Sequence, residues 1–304
     1  MDYELFPELD PLNPPGSDRG EKPNTWHWIV SSISTLDVVG GVKPFPQWHF
    51  LEELVQIWED YRLVLVAKSR QMMVTWTVLA TMLYRCFTQP PGVYLLLSKG
   101  ARDSGELVKR LKVMVQHLPD QQRERVKVKA EEVCFDTGSR ILALPAAEYA
   151  PRMHSPAGVV WDEMAFTPHD EEIWAGVQPA VQAGGWFIGI STPNGTDNLF
   201  YRLFTGSAEG FYRHRLHYRH HPQRNREWLL QAQAGLSQMR WRQEYEIDFF
   251  AMSERVFDEF SPDLHLLTEP FHRDRDQGKI VRGVDFGYRH PYVLWGQLLP
   301  QGDL

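Results

Sequence analysis

Residues 63 to 67, Leu-Val-Leu-Val-Ala, form a wholly apolar run of β type that gives way to a brief polar loop. A long apolar segment follows, in which Val74, Val78 and Met82, and Leu79 with Leu83, recur at four-residue spacing. Strand, loop and helix in this order make a phosphate-binding layout, where loop amides and a helix N-terminus face an anion. The loop, Lys68-Ser69-Arg70-Gln71-Met72-Met73-Val74-Thr75, nevertheless lacks the glycines and the lysine of a standard phosphate loop. Whether it holds phosphate is decided by what surrounds it.

The 304 residues suffice for one large domain, or one domain and part of another. A hydrophobic share of 43% and a charged share of 23% are those of a folded, water-soluble chain, and no apolar run is long enough for a membrane span. The net charge of -7 argues against a protein that coats nucleic acid, while leaving room for a local basic patch. Cys86 and Cys134 lie in apolar surroundings without metal or disulfide spacing, which fits a reduced, intracellular setting.

Residues 1 to about 25 are acidic and rich in Pro, Asn and Gly, the composition of a mobile arm. An amphipathic pattern runs from Trp26 to Gly40-Gly41, and a helix is expected over Phe50 to Tyr61. Gln47, just upstream, could bond an adenine edge through its amide; an exposed Gln beginning a helix reads equally well. Val93 to Leu97 is a second buried strand, followed by a helix over Ala101 to Leu118. Val126 to Leu144 reads as a hairpin inserted among βα units.

The apolar strand Val159-Val160-Trp161 ends in Asp162-Glu163. At the carboxyl edge of a parallel sheet, a first acid there can hold Mg²⁺ while the second deprotonates an attacking water. A strand ending in solvated acids reads the same way. The strand Trp186 to Ile190 ends in Ser191-Thr192-Pro193-Asn194-Gly195. Its hydroxyls can sense a γ-phosphate, although the turn alone would explain them. Residues 211 to 226 carry Arg213, Arg215, Arg219, Arg224 and Arg226 with several histidines. Alternation predicts a strand with arginines on one face, either solvated or meeting a phosphate backbone; the histidines lack a tight zinc pattern. Helices are expected over 227–235 and 237–250, a linker near 256–278, and a strand–turn–strand from Lys279 with Asp285 on its first strand.

Motif order ties these pieces together. A nucleotide strand–loop–helix, Trp161-Asp162-Glu163-Met164-Ala165-Phe166, Ile190-Ser191-Thr192-Pro193, Gln243-Glu244-Tyr245 and Val284-Asp285-Phe286-Gly287 together resemble the large subunit of tailed-phage terminases, from about Pro44 to Pro291. The resemblance implies an α/β fold: a RecA-like, additional-strand P-loop ATPase over residues 26–255, with a mainly parallel sheet flanked by helices and a helical or linker part at about 205–255. The first strands of an RNase H-like nuclease would follow at 279–304. It implies ATP and Mg²⁺ at Lys68, Ser69, Arg70, Gln71 and Thr75, with Thr75 and Asp162 on the metal, Glu163 as base, and Ser191-Thr192 coupling hydrolysis to motion. Lys68 matches the lysine that some terminases carry at the start of a deviant loop, and Arg70 is a second cation. Met73 and Val74 stand where Gly and Lys are usual, so methionine side chains are expected to crowd the loop amides. Arg152 would be an arginine finger toward its own or a neighbouring subunit's ATP, or a plain surface arginine.

Asp285 matches the first metal-binding acid of the nuclease, whose second divalent ion (Mg²⁺ or Mn²⁺) needs acids from later strands. The chain as given is therefore expected not to cut DNA. The implied partners are viral double-stranded DNA, a portal protein, a small terminase subunit and further copies in a ring, at the procapsid in the bacterial host cytoplasm. A non-catalytic prophage remnant and a helicase-like ATPase are the alternatives.

Overall fold

The computed structural model describes residues 24–37, 40–146, 153–206, 210–251, 279–285 and 292–298. The expected N-terminal arm and the 256–278 linker lie outside them. The chain divides into two compact units, residues 1–253 and 254–304.

In the first unit, α1 (Thr25–Ser32), capped by the Asn24 side chain, leads into a hairpin of β1 (Ser34–Asp37) and β2 (Gly41–Pro44). The amphipathic stretch from Trp26 therefore covers a helix and a strand. Then come α2 (His49–Asp60), β3 (Leu63–Lys68), α3 (Val74–Thr88), β4 (Val93–Ser98) and α4 (Ala101–Gln116). After α5 (Asp120–Arg123), β5 (Val126–Val128) and β6 (Glu132–Phe135) form the inserted hairpin, which returns through β7 (Arg140–Pro145). The order closes with β8 (Gly158–Asp162), α6 (Asp170–Gln182), β9 (Trp186–Ser191), α7 (Leu199–Thr205), β10 (Tyr212–Leu216), α8 (Arg226–Gln233) and α9 (Gln238–Glu244).

Eight strands make one sheet in the order β10-β3-β9-β8-β4-β7-β6-β5, parallel from β10 to β7 and antiparallel beyond. Successive side chains of a strand point to opposite faces, so a strand covered on both sides must be apolar throughout. Val64 and Val66 join Leu96, Val160 and Ile188 in the layer packed by α1 to α4, while Leu65 and Ala67 join Leu95, Leu97, Trp161 and Phe187 beneath α6 and α7. The result is a three-layer sandwich, and it accounts for the continuous apolar runs of β3, β4, β8 and β9.

The helix expected over 237–250 is shorter. It ends at Glu244, Ile247 beyond it takes a left-handed backbone (φ 57°), and Phe249 packs in the opposite layer from Trp241. In the second unit β11 (Lys279–Asp285) pairs antiparallel with β12 (Tyr292–Leu298), Asp285 opposite Tyr292.

Candidate nucleotide site

Parallel order places the carboxyl ends of β3, β4, β8 and β9 along one edge, where a ligand crevice forms in open α/β sheets. A cleft of about 390 Å³ opens there, bordered by Arg70, Thr75, Ser98, Lys99, Arg110, Asp162, Glu163, Thr192 and Glu244. Three stretches far apart in sequence, the polar loop, Asp162-Glu163 and Thr192, thus share one cavity.

Asp162 is 6% exposed, and both its oxygens are engaged: Thr75 Oγ1 donates to Oδ2 (3.0 Å) and the Glu163 amide to Oδ1 (3.2 Å). Lys68 donates to Glu163 Oε1 at 3.0 Å, its side chain 7% exposed against 41% for Glu163. Burial pushes Asp162 up to about 6 and the neighbouring Glu163 adds to this, while Lys68 and Thr75 pull the other way. For Lys68 burial acts to lower the pKa, but Glu163 and Asp162 outweigh it, so the ammonium stays charged. Among these three groups, two carboxylates face one ammonium, which leaves negative charge in excess. A buried acid whose charged form is disfavoured, beside a hydroxyl and facing a cleft, is an all-oxygen donor set suited to Mg²⁺.

The loop between β3 and α3 keeps the backbone of a glycine loop without glycine. Gln71 and Met73 both sit at φ 58°, the left-handed region, and Glu163 at φ 52°. Each such residue stores about 1–3 kcal/mol, and such strain concentrates at functional sites. The expected crowding does not occur. Met72 is 1% exposed within the core, Met73 packs against that core, and neither borders the cleft.

Contacts from distant parts of the chain grip the loop. Ser69 N–H donates to Leu216 O (2.9 Å) and Arg70 N–H to Glu244 O (2.8 Å). The Ser69 hydroxyl, fully buried, donates to Tyr245 O and accepts from Tyr218 N–H, which removes Ser69 as a nucleotide contact and makes it a loop anchor. Arg224 donates to the carbonyls of Arg70 (2.7 Å) and Gln71 (2.9 Å).

Ser191 accepts from the amide of Ala165 (3.1 Å), two residues past Glu163, and Asn194 donates to the Ala165 carbonyl (3.0 Å). The Ser-Thr-Pro turn is thereby tied to the segment that follows Glu163. Gln243, fully buried, donates to Pro193 O (2.9 Å) and links the same turn to the α9 residues that hold Arg70.

Arg70, with 60% of its side chain exposed, borders the cleft at 3.9 Å from Glu244. Gln47 is exposed and does not border the cleft. Arg152 lies outside the described residues; Asp285 ends β11, its side chain likewise outside them. The basic 211–226 segment is not an ordinary solvated strand. Arg213 bonds the carbonyls of Leu203, Phe211 and Gly206, Arg215 lies over Phe204 and Phe249, and Arg224 holds the loop. Two of its histidines have separate partners: His217 bonds Glu246 at 2.9 Å and His221 rests on Trp48 at 4.3 Å. Sequence reasoning missed Lys99 and Arg110, which carried no motif, and saw Arg224 only as one charge in a basic run.

This sheet order, mainly parallel and flanked by helices, is that of a RecA-like α/β fold. No protein-family model matches the sequence. Among solved structures, the ATPase domain of the Thermus phage P74-26 large terminase superposes with a TM-score of 0.53 at 18% identity, over 68% of this chain and 94% of that one. The large terminase of a thermophilic bacteriophage in complex with ADP gives 0.53 at 15% identity, over 84% of this chain and 66% of that one. The HK97 bacteriophage large terminase gives 0.54 at 16% identity, over 91% and 66%. The chain has the fold of phage large terminase ATPase domains, and the resemblance in motif order is borne out at that level.

Proposed function

We propose that this chain is the large terminase subunit, an ATP-hydrolysing motor that drives viral double-stranded DNA into a procapsid. The observation that carries the proposal is the convergence of Thr75, Asp162 and Glu163 on one cleft at the start of α3. Thr75 Oγ1 and Asp162 would hold Mg²⁺, which when bound neutralises charge on the β- and γ-phosphate oxygens. Amides at the start of α3 receive phosphate oxygens, helped by the helix dipole. Glu163 takes a proton from a water whose oxygen bonds to the γ-phosphorus as the bridging P–O bond to the β-phosphate breaks. Lys68 holds the Glu163 carboxylate in place, and Arg70, exposed and at the cleft, swings toward the phosphates.

Ser191-Thr192 transmits loss of the γ-phosphate through Ala165 and Gln243. Arg152 would act as the arginine finger, Gln47 would meet adenine, and Asp285 would begin the Mg²⁺- or Mn²⁺-dependent nuclease. The partners would be a portal protein, a small terminase subunit and further copies in a ring, at the portal in the host cytoplasm.

The test is ATP hydrolysis by the purified chain in Mg²⁺, with and without double-stranded DNA. Glu163→Gln is expected to lower turnover by roughly 10²–10⁴-fold, the contribution of a general base, while ATP still binds. Wild-type protein that binds ATP but never hydrolyses it would replace the motor by a non-catalytic remnant.

A further inference from the structure

We propose that Arg224 is a positioning residue that holds a glycine-free phosphate loop in the conformation glycines would otherwise supply, and so keeps Arg70 and Thr75 at the cleft. The inference rests on the proposed function for its ligand, but its geometry stands on the loop itself.

One nitrogen of the guanidinium, Nη2, donates to the carbonyls of Arg70 (2.7 Å) and Gln71 (2.9 Å), and Nη1 lies 3.2 Å from Met72 Sδ. Its plane is backed by Trp228, whose ring centroid is 4.5 Å from Cζ. In a trans peptide the C=O and the following N–H point in opposite directions. Drawing the Arg70 and Gln71 carbonyls toward Arg224 therefore turns the Gln71 and Met72 amides away from it. Among the described residues, no backbone carbonyl accepts from the amides of Gln71, Met72 or Met73.

Of the two strained positions, Gln71 joins the two gripped peptides and Met73 follows them. Gln71 and Met73, both at φ 58°, would relax out of the left-handed region if the carbonyls were released. Glycine occupies that region freely, which is why phosphate loops use it. This chain has moved the constraint from the loop's own residues to a guanidinium 153 and 154 residues away from the carbonyls it holds.

The clamp predicts a specific rescue. Magnesium–ATP binding by calorimetry, and hydrogen exchange of the 69–75 segment, would be compared in wild type, Arg224→Ala, Arg224→Lys, and Arg224→Ala combined with Gln71→Gly and Met73→Gly. Charge-assisted hydrogen bonds of this kind predict a loss of about tenfold or more in affinity for Arg224→Ala, with faster exchange at residues 71 to 73. Lysine, whose single ammonium can meet the carbonyls but cannot also stack a planar group on Trp228 and reach Met72 Sδ, should recover only part. The two glycines should restore affinity on the alanine background, because they adopt the loop conformation unaided. A contribution made only by packing α8 through Trp228 would not be rescued from the loop. Unchanged affinity and exchange in Arg224→Ala, or a loss that the glycines leave untouched, overturns the proposal. Wild-type protein that binds no ATP defeats the proposed function alone; the exchange data then decide the clamp, faster exchange in Arg224→Ala supporting it and equal exchange refuting it.

Discussion

Glycine at position 71 is expected to raise the stability of the fold, although it removes a side chain. Gln71 is exposed, sits at φ 58°, and offers the fold its carbonyl, which Arg224 holds, rather than its amide group. An L-residue in the left-handed region costs about 1–2 kcal/mol that glycine does not. Against this, the freer unfolded chain of a glycine variant returns about 0.4–1 kcal/mol. At the middle of both ranges the difference favours Gln71→Gly by about 0.8 kcal/mol, which for a unit of this size raises Tm by about 2–3 °C. Scanning calorimetry in the absence of nucleotide measures it. The control is Lys112→Gly, at an exposed position inside α4, where glycine costs about 1 kcal/mol and the sign must reverse. If Gln71→Gly lowers Tm as Lys112→Gly does, position 71 holds no strain and the account of the loop fails.

Three further outcomes follow from the same contacts. Ser69→Ala strips a buried hydroxyl that serves Tyr245 O and Tyr218 N–H, and should lower stability by about 1–3 kcal/mol; an unchanged denaturation midpoint would show that Ser69 is no anchor. Burial, with the charge of Arg224, pushes His221 down to about 4, below its ordinary value. The unfolded chain therefore binds a proton that the folded one refuses, and stability that is complete above pH 6.5 is lost as pH falls toward 4. Asp162, raised to about 6, contributes the opposite slope between pH 4 and 6, so the comparison is made against His221→Gln, whose melting temperature should fall less than wild type's over that window. Parallel curves would exclude the histidine. Finally, Lys68→Ala and Arg70→Ala should each reduce ATP turnover, Lys68→Ala by freeing Glu163 and Arg70→Ala by weakening phosphate binding; if neither does, the catalytic cation lies elsewhere on the cleft.

The layers of this fold were legible because parallel strands covered on both faces need uninterrupted apolar sequence. Leu63 to Ala67, Val93 to Leu97 and Val159 to Trp161 supply it, each followed by polar residues where the strand reaches the edge. The carboxylates and the Ser-Thr turn were legible for the same reason, since they end such strands. What a strand's own pattern does not encode is its neighbour. That β10 lies parallel to β3 follows from the path of the chain, and this pairing, with Leu216 beside Lys68, brings Tyr218 and Arg224 to the loop.

The loop shows where local reading stops. Methionine at a glycine position reads as crowding only if the side chain must occupy the cleft; with the backbone held in the left-handed region, Met72 instead enters the core and Met73 packs on it. The residues that make this possible, Leu216, Arg224, Glu244 and Tyr245, all lie in the last part of the described first unit. A basic run looks the same whether its arginines meet phosphate, water or backbone carbonyls. The cation question is of the same kind: adjacent letters of the loop place Lys68 and Arg70 together, yet strand geometry buries the first against Glu163 and leaves the second at the cleft. Sequence supplies the donors and acceptors, and only the folded path decides which of them meet.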